Sequence, residues 1–401
     1  MALSVYIHIP YCLQRCRYCD FTTFEWRDTS PTTQPEIPPP ETYVQWLLQE
    51  LRNRRQMWSQ SEIQTVYFGG GTPSLLAPEL IVAIYAELAN VGFWLRTDAE
   101  VTIEINPATV NARHLEIYLE AGLNRFSVGA QTFNDSLLRT CGRRHSAEDT
   151  RETLRLLRQA HANYSFDLLF ALPGQTRDDL ERDLDEVAKF APPHLSAYCL
   201  TVPEGHPMSR GRPPEDDQVE MFAHIETHLG VQGLRKYEIS NFARPGFESR
   251  HNQAYWKDEP YWGLGLSSHS YDPDRGPFGT RFWNSKSFRE YSRAVERCTL
   301  DPEQMEQLQA HEAATDLCHM FLRTTAGLSI DAVLQKFTGG LRTEILNRLA
   351  RLSREDWLTF CDQRWRLTSR GELISNKVFE ELTFLQSEIG LDALTQTSPD
   401  P

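Results

Sequence analysis

Six times between Ser4 and Gly230 a short β-rich run gives way to a longer stretch of helical period, and this alternation constrains the fold more than anything else in the chain. The expected strands are Ser4–Ile9, Thr65–Phe68, Val101–Ile105, Arg125–Val128, Ser165–Leu169 and Leu195–Cys199. The expected helices are Thr42–Trp58, Pro78–Val91, Ala108–Ala121, Ala147–Ala160, Asp178–Phe190 and Asp217–Gly230. Leu115, Tyr118 and Leu119 carry the three-four spacing of one helix face, with Pro107 suited to the first turn and Gly122 to the stop. Repeated β–α units demand a parallel sheet with right-handed crossovers. The strands read as apolar on both faces in places, as a covered parallel sheet requires. The fold class is α/β, with a partial (β/α)6 barrel preferred to a doubly wound sheet.

A chain of 401 residues is long for one domain, so a smaller unit should follow. We expect the barrel over 1–235, a β/loop extension rich in aromatics over 236–300, and a helical, winged-helix-like domain over 301–401. Asp301–Pro302 opens the helical part, which runs to about Arg354, and Trp365–Gly371 begins a strand, turn and helix. Thr29–Pro40, dense in Pro and Thr, reads as a mobile surface loop. With 40% hydrophobic and 24% charged residues the composition is that of a soluble globular protein. A formal charge of −14 excludes a general nucleic-acid binder, since phosphate contacts need clustered Lys and Arg. No run of about 18 apolar residues predicts a membrane span, and Met1–Val5 has no basic leader. The expected location is cytoplasmic.

Of eight cysteines, Cys12, Cys16 and Cys19 stand together directly after the first strand, while Cys141, Cys199, Cys298, Cys318 and Cys361 are scattered and read mainly as small buried hydrophobes. Three thiolates on one short loop converge on a single metal centre. Iron–sulfur clusters are held by thiolates, usually four, so three leave one iron open to a non-protein ligand. Arg15 and Arg17 add positive charge that favours the thiolate form. The competing reading is a zinc-stabilised binding module, with His8 as fourth ligand; on an alternating strand His8 is better read as a satisfied barrel residue.

Barrel enzymes build their sites where strands end. Strand two runs into Gly69-Gly70-Gly71-Thr72-Pro73, whose glycines let backbone approach a ligand. Strand three ends at Glu104-Ile105-Asn106-Pro107, strand four at Ser127-Val128-Gly129-Ala130-Gln131 with Arg143 after it, and strand five carries Asp167. Each suits a charged, hydroxyl-bearing ligand.

With these motifs in place the chain resembles the radical-SAM superfamily: Cys-x3-Cys-x2-Cys with the aromatic Tyr18 before the last cysteine, and the Gly69–Pro73 segment. Tyr6–Cys12, Glu104–Pro107, Ser127–Gln131 and Leu172–Thr176 resemble its coproporphyrinogen-dehydrogenase-like branch along nearly the whole chain. The resemblance implies a [4Fe–4S] cluster on Cys12, Cys16 and Cys19, with S-adenosylmethionine (SAM) on the fourth iron. It places Tyr6, Gly70, Gly71, Thr72, Glu104, Gln131, Arg143 and Asp167 around SAM, Gln131 and Asp167 toward the ribose and Arg143 toward the carboxylate, with Tyr18 contributing through its backbone.

Within that branch the oxygen-independent coproporphyrinogen III dehydrogenase carries another cysteine two residues past the third, where this chain has Phe21, and a longer N-terminal extension. The HemW-type heme chaperones instead have Asp-Phe after the third cysteine, as in Asp20-Phe21, and a His-Asn-x-x-Tyr-Trp motif, as in His251-Asn252-Gln253-Ala254-Tyr255-Trp256. That resemblance implies heme as a carried ligand, transfer to an apo-hemoprotein acceptor, and no porphyrinogen oxidation. His251, Asn252, Tyr255 and Trp256 are the heme candidates, with His269 a further ligand candidate and Arg244 and Arg250 placed to meet propionates; read from residues alone, the aromatics equally suit a core. The likeness also allows a homodimer formed through the cluster region, and membrane contact only through an acceptor. The alternative is an active radical-SAM oxidoreductase, such as the porphyrinogen dehydrogenase, in which a reduced cluster cleaves SAM and the deoxyadenosyl radical abstracts hydrogen.

Overall fold

A computed structural model of the chain describes residues 2–26, 37–58, 61–299 and 302–386. Six strands, here β1 (Ala2–Ile9), β2 (Glu62–Gly70), β3 (Trp94–Ile105), β4 (Arg125–Gln131), β5 (Asn163–Phe170) and β6 (His194–Cys199), pair in chain order and all in parallel. A sequential order with right-handed crossovers puts every helix on one face and curls the sheet about the other, so the doubly wound alternative, whose strand order reverses, does not apply. The sheet does not close. Beyond β1 it continues through Tyr261–Leu264, parallel, and then His269–Asp272, Thr280–Trp283 and Met305–Gln307, antiparallel. Beyond β6, Asn241–Ala243 and Arg235–Lys236 add two antiparallel strands. The extension expected over 236–300 thus serves both edges of the same sheet. Met305–Gln307, expected as helix, is edge strand.

The strands are not apolar on both faces. Leu3, Val5, Ile7 and Ile9 on β1, with Phe68, Ile103, Phe126, Phe166 and Leu195 from the other strands, are buried under the helices. The alternate residues are polar and meet side by side across the sheet: Tyr6 opposite Tyr67, Tyr67 opposite Thr102, Glu104 opposite Ser127, Asp167 opposite Ser196. Since successive side chains point to opposite faces, the inner wall of the open barrel is mainly polar, with Leu169 an apolar exception.

Local sequence chemistry sets the helix ends. Ser146 with Asp149, and Thr176 with Asp179, form reciprocal capping boxes ahead of Ala147–Gln159 and Arg177–Phe190. Pro40 takes the first position of Pro40–Arg54, which tightens to a 3-10 turn through Trp58. The helix after β3 starts at Ala112, not Ala108. Asn111 caps it through His114 N, while Ala108 adopts a positive φ of 67° in a turn closed by Thr109 N on Asn106 O, so Pro107 lies outside the helix. Gly122 stops it at φ 98°. Of the expected mobile loop, residues 29–36 lie outside the described residues, as does Asp301.

The C-terminal part has its own core, including Leu317, Leu341, Ile345, Leu349 and Trp365. Helices Ala310–Leu322, Ile330–Lys336 and Gly339–Arg354 pack with a three-stranded antiparallel sheet of Leu328–Ser329, Arg364–Leu367 and Leu358–Cys361, the order of a winged helix. Among the described residues no helix is long and apolar enough to cross a membrane. Only Cys141 and Cys318 of the scattered cysteines are buried; Cys199 is half-buried, and Cys298 and Cys361 are exposed because each sits where its element ends.

Candidate cluster and cofactor site

A cavity of about 560 Å³ opens where the strands of the barrel end, and the three clustered cysteines form one of its walls. Their loop is fixed by local bonds. Tyr11–Cys12 pairs with Phe24–Glu25, Cys19 N donates to Cys16 O at 3.2 Å, and Arg15 Nη2 to Cys19 O at 3.0 Å. Arg17 N reaches Cys141 O at 2.9 Å. Burial, the dominant influence, pushes Cys12 up to about 11 and raises Cys19, where the charge of Arg15 acts in the opposite, lowering direction.

The donor set suits a sulfur-ligated cluster. All three thiols are free and face one cavity. The Thr72 hydroxyl donates to Cys12 Sγ at 3.7 Å, and Arg143 Nη1 to Cys16 Sγ at 3.3 Å, both favouring negative sulfur. Among the described residues no three His, Cys, Asp or Glu side chains are gathered tightly enough for a single metal ion. His8 is spoken for: its Nε2–H donates to Thr22 O at 2.9 Å, so Nδ1 accepts from Tyr6 Oη at 3.1 Å. It is the satisfied barrel residue that strand alternation implied, and burial depresses its pKa to about 4, keeping it neutral.

The glycine segment is built for close approach. Gly70 has φ 108°, and a Cβ there would lie 2.4 Å from the His8 ring; one on Gly71 would lie 2.6 Å from Tyr11 O. Glu104 accepts from Tyr67 Oη at 2.8 Å and from Gly70 N at 3.1 Å. Burial, with Asp167 adding repulsion, lifts its pKa to about 7. Burial likewise lifts Asp167 to about 6, against a hydrogen bond from Ser196. Two carboxyls poised near neutrality in one cavity suit a cationic ligand, which would draw both into the ionised form.

Arg143 binds across the wall, with Nη2 on Gly129 O at 2.5 Å and on Asn106 Oδ1 at 3.1 Å. Gln131 is buried beside it at φ 67°. Tyr18, Gly70, Gly71, Thr72, Glu104, Gln131, Arg143 and Asp167 all line the cavity with the three cysteines. Tyr6 does not. Its ring stacks on Tyr67 behind the wall, at 6.1 Å between centroids. The floor holds residues that a search for apolar runs passes over: Arg125, Ser127, His194, Ser196 and Tyr198. The signal was present as polar residues at alternate strand positions.

The His251 motif forms a short helix, Arg250–Trp256, under the barrel. His251 is 1% exposed, its Nδ1 paired with Thr65 Oγ1 at 2.8 Å and its Nε2 with Tyr255 Oη at 2.9 Å. Both ring nitrogens of this heme candidate are thus engaged within the protein in this arrangement. Tyr255 packs edge-on against Tyr261, and Trp256 lies under Arg323 of the C-terminal part, 4.7 Å from its ring. Arg250 is engaged with Asp98, its Nη1 on the carbonyl at 2.6 Å, while Arg244 anchors through its backbone to Pro193. Of this motif only Asn252 reaches the cavity. His269 is exposed at the start of the neighbouring strand His269–Asp272, toward the end where the parallel strands finish, and stacks on Trp283.

Comparison with known proteins agrees with this geometry. Residues 6–187 match the family model for the radical SAM superfamily. The chain is 32% identical over 384 residues to the heme chaperone HemW of Bacillus subtilis, covering 94% of this chain and 98% of that protein. It is 31% identical over 386 residues to the heme chaperone HemW of Escherichia coli, covering 94% and 97%. Among solved structures, coproporphyrinogen III oxidase (HemN) from Escherichia coli, a radical SAM enzyme, superposes with a TM-score of 0.79 at 22% identity, over 95% of this chain and 90% of that one, a likeness of fold. The chain carries a radical SAM domain and belongs to the HemW heme chaperone family.

Proposed function

We propose that this chain is a heme chaperone: it binds heme and passes it to an apo-hemoprotein, and it carries a SAM-liganded [4Fe–4S] cluster. The observation that carries the reading is the reach of the likeness. Identity to proteins named heme chaperones extends over 94% of the chain, well past the residues 6–187 that match the radical SAM model. Phe21 supports it. Where the dehydrogenase branch has a further cysteine, this chain presents an aromatic ring 62% exposed beside the cavity.

In this reading Cys12, Cys16 and Cys19 hold the cluster, with Thr72 and Arg143 donating to two of the sulfurs. Gly70 and Gly71 would present their backbone to the amino-acid end of SAM, Arg143 would meet its carboxylate, and Gln131 and Asp167 would meet its ribose. Glu104 holds the glycine segment through Gly70 N and, when ionised, would offer negative charge to a cationic ligand. When bound, the cluster and SAM supply one-electron chemistry; the protein residues orient them and keep the inner wall polar.

The test is an anaerobic heme titration of cluster-loaded protein, followed by mixing the heme-loaded protein with an apo-hemoprotein. Saturable binding and transfer are expected. Absence of heme binding overturns the proposal, and formation of protoporphyrinogen from coproporphyrinogen at enzymatic turnover replaces it with the dehydrogenase reading.

A further inference from the structure

An iron porphyrin needs an imidazole nitrogen that nothing else holds. That nitrogen must also be reachable by a flat macrocycle. The buried histidines fail one condition or the other: His8 and His251 have both ring nitrogens bonded, while His194, with Nδ1 unpartnered, and His145, with both nitrogens unpartnered, are only 1% and 7% exposed. His269 meets both. It is exposed, it lies on the side of the sheet where the parallel strands end, and among the described residues neither of its ring nitrogens has a hydrogen-bond partner. We infer that heme docks on the face carrying His269 and that this imidazole ligates its iron. The inference rests on the heme-binding reading above and gives that reading a place.

Three features make the face a built one. First, the ring plane is fixed, since His269 stacks on Trp283 with centroids 5.8 Å apart and planes at 25°. Second, the turn that presents it is rigid. Asn284 Nδ2 donates to Gly265 O at 2.8 Å and Ser268 Oγ at 3.2 Å, Ser267 N donates to Ser285 O at 2.9 Å, and Gly265 N donates to Glu50 Oε2 at 2.9 Å. A ligand held in place before binding loses less freedom on binding. Third, the charge is right. Partial burial, Lys286 and Arg281 lower the pKa of His269, which keeps a nitrogen lone pair free near neutral pH. Arg281 is already paired with Glu306 and Asp316, whereas exposed Lys286 has no ion-pair partner among the described residues and is free to meet a propionate.

The position also links the face to the cluster loop. Thr22 donates to Ser267 Oγ at 3.1 Å, two residues before His269, and Thr22 follows the exposed Phe21. A flat ligand on His269 therefore sits beside the segment that carries Cys19.

The experiment is an anaerobic heme titration of the full chain, wild type beside His269→Ala and Lys286→Ala, with thermal melts to verify folding. His269 is exposed, so its alanine variant should melt with the wild type. We expect the His269→Ala complex to be weaker by about tenfold or more, with a shifted Soret band that added imidazole restores, and Lys286→Ala to weaken binding about threefold. Wild-type binding with an unchanged affinity and spectrum in His269→Ala overturns the site and leaves the chaperone reading standing. No binding by the wild type overturns both.

Discussion

Asp183 offers a test of how the wall beside Gln131 is held. It lies on the helix after β5, 2% exposed, and its Oδ1 accepts from Phe133 N at 2.6 Å and Thr132 Oγ1 at 3.1 Å, clamping the turn that follows Gln131. Its Oδ2 is buried without a partner. Burial is the foremost influence on it and raises its pKa from 3.8 to about 7. The folded state therefore binds this proton more tightly than the unfolded chain does. Stability from this group is fully present below about pH 4 and is lost as pH rises through about 7, at a cost of up to about 4 kcal/mol once the carboxyl is ionised in both states. Asp183→Asn keeps an oxygen for Phe133 N and Thr132 Oγ1 and cannot ionise. Urea unfolding at pH 5 and pH 8 should show the variant more stable than wild type by about 1–2 kcal/mol at the lower pH and by up to about 4 kcal/mol at the higher. Glu104 and Asp167 titrate in both proteins and cancel in the comparison. A variant less stable than wild type at pH 8, or a difference that does not vary with pH, would refute the reasoning and show that the two donated hydrogen bonds outweigh burial.

Other outcomes follow from the same geometry. Gly70→Ala places a Cβ 2.4 Å from the His8 ring at φ 108°, and His8 is tethered at both nitrogens, so it should cost about 2–4 kcal/mol in thermal unfolding; an unchanged melt contradicts the close approach. Arg143→Lys keeps the charge but loses the grip on Cys16 Sγ, Gly129 O and Asn106 Oδ1, so iron retained through gel filtration should fall and SAM affinity drop about tenfold by calorimetry. Because a cation favours ionised Glu104 and Asp167, whose pKa values are about 7 and about 6, binding of SAM should release protons, and its affinity should rise with pH through that range and level off above it; a flat profile would detach these carboxyls from the ligand.

The parts of this molecule legible in the sequence are those with local signals. The six strands and their helices appear because apolar periodicity and capping residues such as Ser146 and Thr176 act over a few positions. The cysteine loop and glycine segment appear because they are contiguous. What stayed hidden depends on distant pairing. Asn241–Ala243 turns back onto β6, and nothing in three residues announces that. His251 looks like a ligand in its motif, and only the fold brings Thr65 to its Nδ1. The Arg125 and His194 floor was written in alternate polar positions, which a search for buried apolar runs reads as noise. Pro107 suits a first helical turn, yet Ala108 adopts a positive φ in the turn that Thr109 N closes on Asn106 O, and the helix starts later.

The central claim is that this chain hands heme on rather than making it. The direct measurement is the rate of heme transfer from the heme-loaded, cluster-loaded protein to an apo-hemoprotein under anaerobic conditions, set against its rate of release to a large excess of albumin. Transfer faster than release, rising with acceptor concentration, is what this account predicts. Transfer no faster than release to albumin would mean heme merely leaks into solution, and would contradict it.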